Sequence, residues 1–151
     1  KPPASPSQQD PGPERVKALL DTGPWVALID KSEAAHASCV AWFSGFVGTL
    51  FSTEAVLTEV LHLLNFSLKA QKAAFDYVLR GVVTLVPSDV QSLEHAKWLM
   101  EKYADLPMDF ADATLVCLAH EAKIFHVATL DVKAFSIYKT RGNHFFTIHP
   151  Q

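Results

Sequence analysis

Short apolar runs alternate with longer stretches of helical periodicity from Val16 to the end of the chain, and this alternation constrains the fold more than any other feature. VKALLD (16–21), TLFS (49–52), VVTLVP (82–87), FHVATLD (125–131) and FFTIH (145–149) have the length and apolar density of buried strands. Between them lie helical patterns. Pro24 sits where a first turn tolerates a missing N–H, and residues 34–47 repeat apolar groups through Ala37, Val40, Ala41, Phe43 and Phe46. Residues 53–65 and 67–80 read as a helical hairpin closed by Gly81. Ser88 with Gln91 reads as a capping box for a helix to about Ala104. Pro107 opens a further helix to about Glu121, and a short one spans about 132–139. Strands alternating with helices predict an α/β fold, a three-layer α/β/α sandwich around a parallel sheet of about five strands. Ligands of such sheets bind beyond the carboxyl ends of the strands.

Two regions are expected: a disordered tail over 1–15, where five of the nine prolines fall, and one folded domain over 16–151. Thirteen basic against sixteen acidic residues leave a net charge of −3, which argues against a protein that coats nucleic acid through bulk positive charge. No apolar run reaches the roughly 18–20 residues of a membrane span, and the first residues lack a signal-peptide core, so a cytoplasmic protein without membrane association is expected. Cys39 and Cys117, 78 residues apart within apolar patterns, read as small buried residues.

The informative residues are acids that do not suit their surroundings. Asp21 and Asp131 stand where two strands end, a place where an acid is often only a turn or cap residue. In helix 53–65, Glu54, Thr58, His62 and Asn65 form one polar stripe. Glu59 lies about 100° away from it, toward the buried face, and no Lys or Arg occurs between Ser32 and Leu68 to pair with it. Asp112 is flanked by Ala111, Ala113, Leu115 and Val116, with Asp109 three residues earlier on the same face. Each acid alone has a structural reading as one half of a buried ion pair. Together they converge on one sheet edge, where two carboxylates about 5 Å apart repel by roughly 3 kcal/mol at an effective dielectric of about 20. Protonation or a cation must offset that repulsion. All-oxygen ligands suit hard ions, Mg²⁺ or Mn²⁺, and such ions support phosphodiester hydrolysis.

The segments LLDTGPWVALID, STEAVLTEVLHLL, LPMDFADATLVCLA and VATLDVKAF occur in the order and spacing of PIN-domain ribonucleases, and the chain most closely resembles the VapC-type toxins among them. The similarity covers about residues 17–149. The family's four acidic positions fall on Asp21, Glu59, Asp112 and Asp131. An additional acid found in part of the family falls on Asp109, a hydroxyl position on Thr129, and Thr22 follows the first acid as it often does there. The resemblance implies one or two Mg²⁺ or Mn²⁺ ions held by these acids and cleavage of RNA to a 5′-phosphate and a 3′-hydroxyl. It further implies a homodimer and an antitoxin whose C-terminal segment crosses the active-site groove and which supplies any DNA contact. Two other readings stand beside it: a non-catalytic α/β interaction module whose acids form buried salt bridges, and a PIN nuclease of RNA processing without an antitoxin.

Charge is unevenly spread. Residues 123–151 carry Lys123, Lys133, Lys139 and Arg141 against Asp131 alone, whereas the remaining residues hold nine bases and fifteen acids. Lys133, Lys139 and Arg141 are therefore candidate contacts to RNA phosphates beside Asp131. DTG at 21–23 matches the aspartic-protease triplet, but that chemistry needs two such aspartates on a β-rich scaffold. His120-Glu121 lacks a second His at zincin spacing, and no Gly-rich phosphate loop is present.

Overall fold

The computed structural model describes residues 15–151. The tail expected over 1–15 therefore lies, apart from Arg15, outside the described residues. Strand β1 (Val16–Leu20) leads into α1 (Thr22–Ile29) and α2 (His36–Gly45). Strand β2 (Gly48–Ser52) is followed by α3 (Glu54–Leu63) and α4 (Leu68–Leu79), the expected hairpin. Then come β3 (Val83–Leu85), α5 (Val90–Lys102), α6 (Phe110–Ala122), β4 (His126–Ala128) and α7 (Val132–Phe135). The chain closes through β5 (Lys139–Thr140), a 3₁₀ turn, β6 (His144–Phe145) and β7 (Thr147–His149).

Five strands form one parallel sheet in the order β3-β2-β1-β4-β7, as the alternating pattern predicts. Helix α1 packs against α2, α3 and α4, while α5 packs against α6. The core fills with Leu19, Leu20, Trp25, Leu50, Val56, Val60, Leu115, Val127 and Phe135. Cys39 and Cys117 are buried free thiols, as expected. The first residue of β2 must be glycine: a Cβ on Gly48 would fall 1.9 Å from the Val16 carbonyl oxygen of the paired strand. No helix among the described residues is long and apolar enough to cross a membrane.

Four local expectations need correction. The capping box of α5 is shifted by one residue. Asp89 accepts the Ser92 N–H at 2.8 Å while Ser92 Oγ accepts the Asp89 N–H at 2.7 Å, so a carboxylate rather than Ser88 caps the helix. Helix α6 starts at Phe110 instead of Pro107, because the Asp109 side chain caps it. The last apolar run is two strands. His144–Phe145 pairs antiparallel with Lys139–Thr140, and only Thr147–His149 joins the main sheet. That hairpin also ends the helix expected over 132–139 after a single turn. The crossing falls at Phe146, which is buried while Phe145 is exposed.

Candidate active site

The register Leu20↔Ala128 brings the carboxyl ends of the two central strands level. Asp21 and Thr129 follow directly, and the Asp21 N–H donates to the Ala128 carbonyl at 2.9 Å. Asp21 is only 7% exposed and caps α1, accepting the Thr22 N–H on Oδ1 at 2.8 Å. Its other oxygen, Oδ2, accepts from Thr129 Oγ1 at 2.7 Å. Thr129 Oγ1 in turn accepts the Asp131 N–H at 3.0 Å, so one buried hydroxyl ties the first acid to the last. Asp131 is exposed, and its Oδ1 accepts the Ala134 N–H at 3.2 Å to cap α7. Gly23 lets the first turn of α1 lie against Leu130, where a Cβ would stand 3.1 Å away.

The helical acids reach the same place. Glu54, Thr58, His62 and Asn65 are exposed and Glu59 is half-buried, so the helical-wheel reading of α3 holds. Thr22 Oγ1 donates to Glu59 Oε2 at 2.9 Å. Asp109 is not a face residue one turn before Asp112. It is the exposed cap of α6, and its Oδ1 accepts the Asp112 N–H at 2.8 Å. Asp112 is not left without a partner, because Tyr138 OH donates to its Oδ2 at 2.9 Å. Tyr138 was missed by sequence reasoning. It lies in SIYKT, where nothing in the local pattern marks a site, and only the path of the chain after α7 brings its hydroxyl to α6.

The charges are unbalanced. Burial pushes the Asp21 carboxyl up to about 6, against the lowering pull of its Thr129 and Thr22 hydrogen bonds, and the charges of Glu59 and Asp109 push it further. Burial, followed by the charges of Asp21, Asp109 and Asp131, takes Asp112 to about 7. Glu59 is raised by burial and by Asp109, with the Thr22 hydroxyl pulling the other way. Among the described residues the single ion pair is Arg80–Asp76, at 3.8 Å on the surface of α4. Among the described residues no cation therefore pairs with any of the five acids, and the buried salt bridges required by the interaction-module reading are not formed there. Among the same residues no three His, Cys, Asp or Glu side chains close around one point as they stand.

The basic candidates divide. Lys133 lies on α7, two residues after Asp131, and is exposed. The Lys139 ammonium lies over the Phe145 ring, and its carbonyl accepts from His120 Nε2. Arg141 Nη1 donates to the His120 carbonyl at 3.0 Å. His120 is eight residues along α6 from Asp112, about 12 Å of helix, so the structure does not place Arg141 among the carboxylates.

A sheet with acids at the ends of its central strands matches a known architecture. The PIN domain family model matches residues 18–139. The chain belongs to the PIN-domain family. Ribonuclease VapC26 of Mycobacterium tuberculosis is 26% identical over 134 residues, covering 87% of this chain and 99% of that protein. Among solved structures, VapC20 of M. tuberculosis, described as a toxin that cleaves the sarcin-ricin loop, superposes with a TM-score of 0.71 at 22% identity, over 76% of this chain and 90% of that one. A chain of VapBC2 from Rickettsia felis, bound to a DNA fragment from its promoter, superposes with a TM-score of 0.61 at 14% identity, over 89% of this chain and 100% of that one. These structural likenesses bear on the fold, which is the PIN-like α/β/α sandwich expected from the sequence.

The donor set suits a hard divalent cation. Every candidate ligand is a carboxylate oxygen, none is neutralised by a base, and two are held near neutral pKa by burial and mutual repulsion. Sulfur and imidazole, which zinc favours, are not among the five groups.

Proposed function

We propose that this PIN-domain protein is a Mg²⁺- or Mn²⁺-dependent endoribonuclease, the toxin of a toxin–antitoxin pair, acting in the cytoplasm through Asp21, Glu59, Asp112 and Asp131. The observation that carries the reading is that Asp21 and Asp112, pushed up to about 6 and 7, belong to a group of five acids that no Lys or Arg pairs among the described residues. An uncompensated cluster of this kind reduces the stability of the fold unless something cationic or electrophilic uses it. A divalent ion bound by these oxygens supplies charge stabilisation for in-line displacement at phosphorus.

Each residue has a defined part in this proposal. Asp21, the most enclosed acid, anchors the cation from the end of β1, with Thr129 orienting its Oδ2. Asp112 and Glu59 supply oxygens from α6 and α3. Thr22 fixes the Glu59 carboxylate and leaves its other oxygen for the cleft. Asp131 and Asp109, both exposed, lie on the solvent side and face the incoming strand and water. Lys133 beside Asp131 holds a phosphate of the RNA. An antitoxin that carries any DNA contact is supported by the names of the similar proteins, a ribonuclease VapC and a VapBC complex on promoter DNA, and a homodimer is part of the same proposal.

Cleavage of total bacterial RNA tests this proposal, with wild-type protein, EDTA-treated protein and Asp112→Asn run side by side. Discrete fragments from the wild type with metal alone are expected, with at least a roughly 10³-fold loss in the variant. No cleavage in any lane, together with no rise in melting temperature on adding Mg²⁺ or Mn²⁺, would return the acids to a structural role.

A further inference from the structure

We propose that Tyr138 is a positioning residue of the carboxylate site, holding Asp112 Oδ2 so that Oδ1 alone is presented to a cation. The inference rests on the reading of Asp112 as a metal ligand. Tyr138 OH is 2.9 Å from Asp112 Oδ2, the two residues are 26 apart in sequence, and the Tyr138 side chain is 1% exposed. A phenol has one O–H to donate, and here it goes to one of the two carboxylate oxygens. The Asp112 backbone is fixed independently, because its N–H donates to the Asp109 cap. With the main chain held on one side and Oδ2 on the other, little rotational freedom remains for the carboxylate. The oxygen left over is the one free to bind an ion.

The phenol is itself held firmly. Its ring packs edge-on against Tyr103, with centroids 5.0 Å apart, and against Phe135 at 5.1 Å. Tyr103 OH accepts the N–H of Lys139, the residue after Tyr138, at 3.3 Å. Phe135 is anchored in turn by Phe146, at 5.7 Å. The carboxyl end of α5, the turn after α7 and the crossover into β7 therefore all fix one hydroxyl. Polar partners of this kind set the orientation of a metal ligand and the strength with which it binds.

The test is Tyr138→Phe, which keeps the ring and removes the donor. Mn²⁺ binding is read by electron paramagnetic resonance of the free ion, without RNA, together with the metal-free melting temperature. The expected result is a Mn²⁺ dissociation constant weakened about 10–100-fold. In an Asp112→Asn background the same change should move it less than about threefold, since the residue being positioned is gone. Should Tyr138→Phe fail to fold, the hydroxyl proton of Tyr138 in the wild-type protein provides the second measurement. Its NMR resonance should shift during a Mg²⁺ titration, with the midpoint of metal binding. A Mn²⁺ affinity within about threefold of wild type in Tyr138→Phe, or a hydroxyl resonance that Mg²⁺ leaves unmoved, overturns the proposal and makes Tyr138 a core residue. Wild-type protein that binds no Mn²⁺ and cleaves no RNA is a different failure, of the nuclease reading itself, and it removes the positioning role with it.

Discussion

At the amino end of α6, Asp109 and Asp112 stand with Asp21, Glu59 and Asp131, and among the described residues no base pairs with any of them. At its carboxyl end, about 20 Å away, the exposed Glu121 stands beside three bases, two of which, Lys17 and Arg141, are hydrogen-bonded to helix carbonyls. The Lys17 ammonium donates to the Ala122 carbonyl, Arg141 donates to the His120 carbonyl, and Lys123 closes the helix in the left-handed conformation at φ 56°. Apart from Glu121, the charges follow the helix dipole, with acids at the positive pole and bases at the negative pole. They differ in what satisfies the charge. The cations cap orphan carbonyls that every helix end must satisfy, so their placement is explained by folding. The anions far exceed what one helix start needs, and only Asp109 is used as its cap. Folding physics accounts for the carboxyl end of α6 and leaves the amino end as the place where the molecule carries an uncompensated charge.

The sharpest way to break this comparison is to neutralise one acid and watch stability move in the unusual direction. Asp112→Asn should raise the metal-free melting temperature, since it removes a repelled charge while its amide oxygen can still accept from Tyr138. About 1 kcal/mol of relief corresponds to roughly 2–4 °C for a domain of this size. With Mg²⁺ or Mn²⁺ the order should reverse, because only the wild type gains from binding. Scanning fluorimetry with and without metal reads both. A lower metal-free melting temperature in the variant would mean that Asp112 is a structural acid.

The same imbalance predicts a pH dependence of definite sign. Asp21 and Asp112 keep their protons in the native state to about 6 and 7, whereas unfolded aspartates release theirs near 4. The native state therefore binds more protons across this interval. The contribution of the pair to stability is fully present below about pH 4 and is lost as pH rises through 6 and 7. His95 and His149 act in the opposite sense. Burial lowers their pKa, so their contribution is lost as pH falls through their native values. Comparing wild type with Asp21→Asn/Asp112→Asn removes the histidine term. The difference in melting temperature, variant minus wild type, should grow from pH 4.5 to 7.5 without metal and shrink in its presence. A difference independent of pH would show that the two carboxyls titrate normally.

Thr129 offers a smaller and more local test. Its hydroxyl, 1% exposed, donates to Asp21 and accepts from the Asp131 backbone. Thr129→Val keeps the shape but strands both partners, which should destabilise by about 1–3 kcal/mol. Thr129→Ser should recover most of that. Denaturant unfolding gives the energies. A loss in Ser with Val near wild type would assign the role of Thr129 to its methyl group instead.

The parts of this arrangement that were legible in the sequence are those carried by periodicity and by misfit. Apolar runs gave away the parallel sheet because a strand buried on both faces must be apolar throughout. Glu59 and Asp112 stood out because a charge on an apolar helix face needs a reason. Tyr138 was invisible because a buried tyrosine is ordinary, and its meaning lies in a contact across 26 residues that no local pattern encodes. The split of the final apolar run was hidden for a related reason. FFTIH suits one strand, and the decision to break it at Phe146 belongs to the β5–β6 hairpin and the core pocket beside Phe135. Proximity along the chain is a poor guide to Arg141, which is ten residues from Asp131 but bonded to the far end of α6.

That last point yields the smallest effect and the finest test of the division between the two ends. Lys133, exposed and two residues from Asp131, should contribute to RNA binding, whereas Arg141 should contribute to α6. Lys133→Ala is expected to raise KM for RNA with kcat unchanged, and to reduce the slope of log affinity against log salt by about 0.7, one phosphate contact on a single strand. Arg141→Ala should leave that slope alone and lower the melting temperature by a few degrees, for a loss of about 0.5–1 kcal/mol of end-capping energy. Fluorescence anisotropy across a salt series, with scanning fluorimetry on the same samples, separates the two. If Arg141→Ala flattens the salt dependence as much as Lys133→Ala does, the RNA track runs the length of α6, and its carboxyl end serves the substrate as well as the fold.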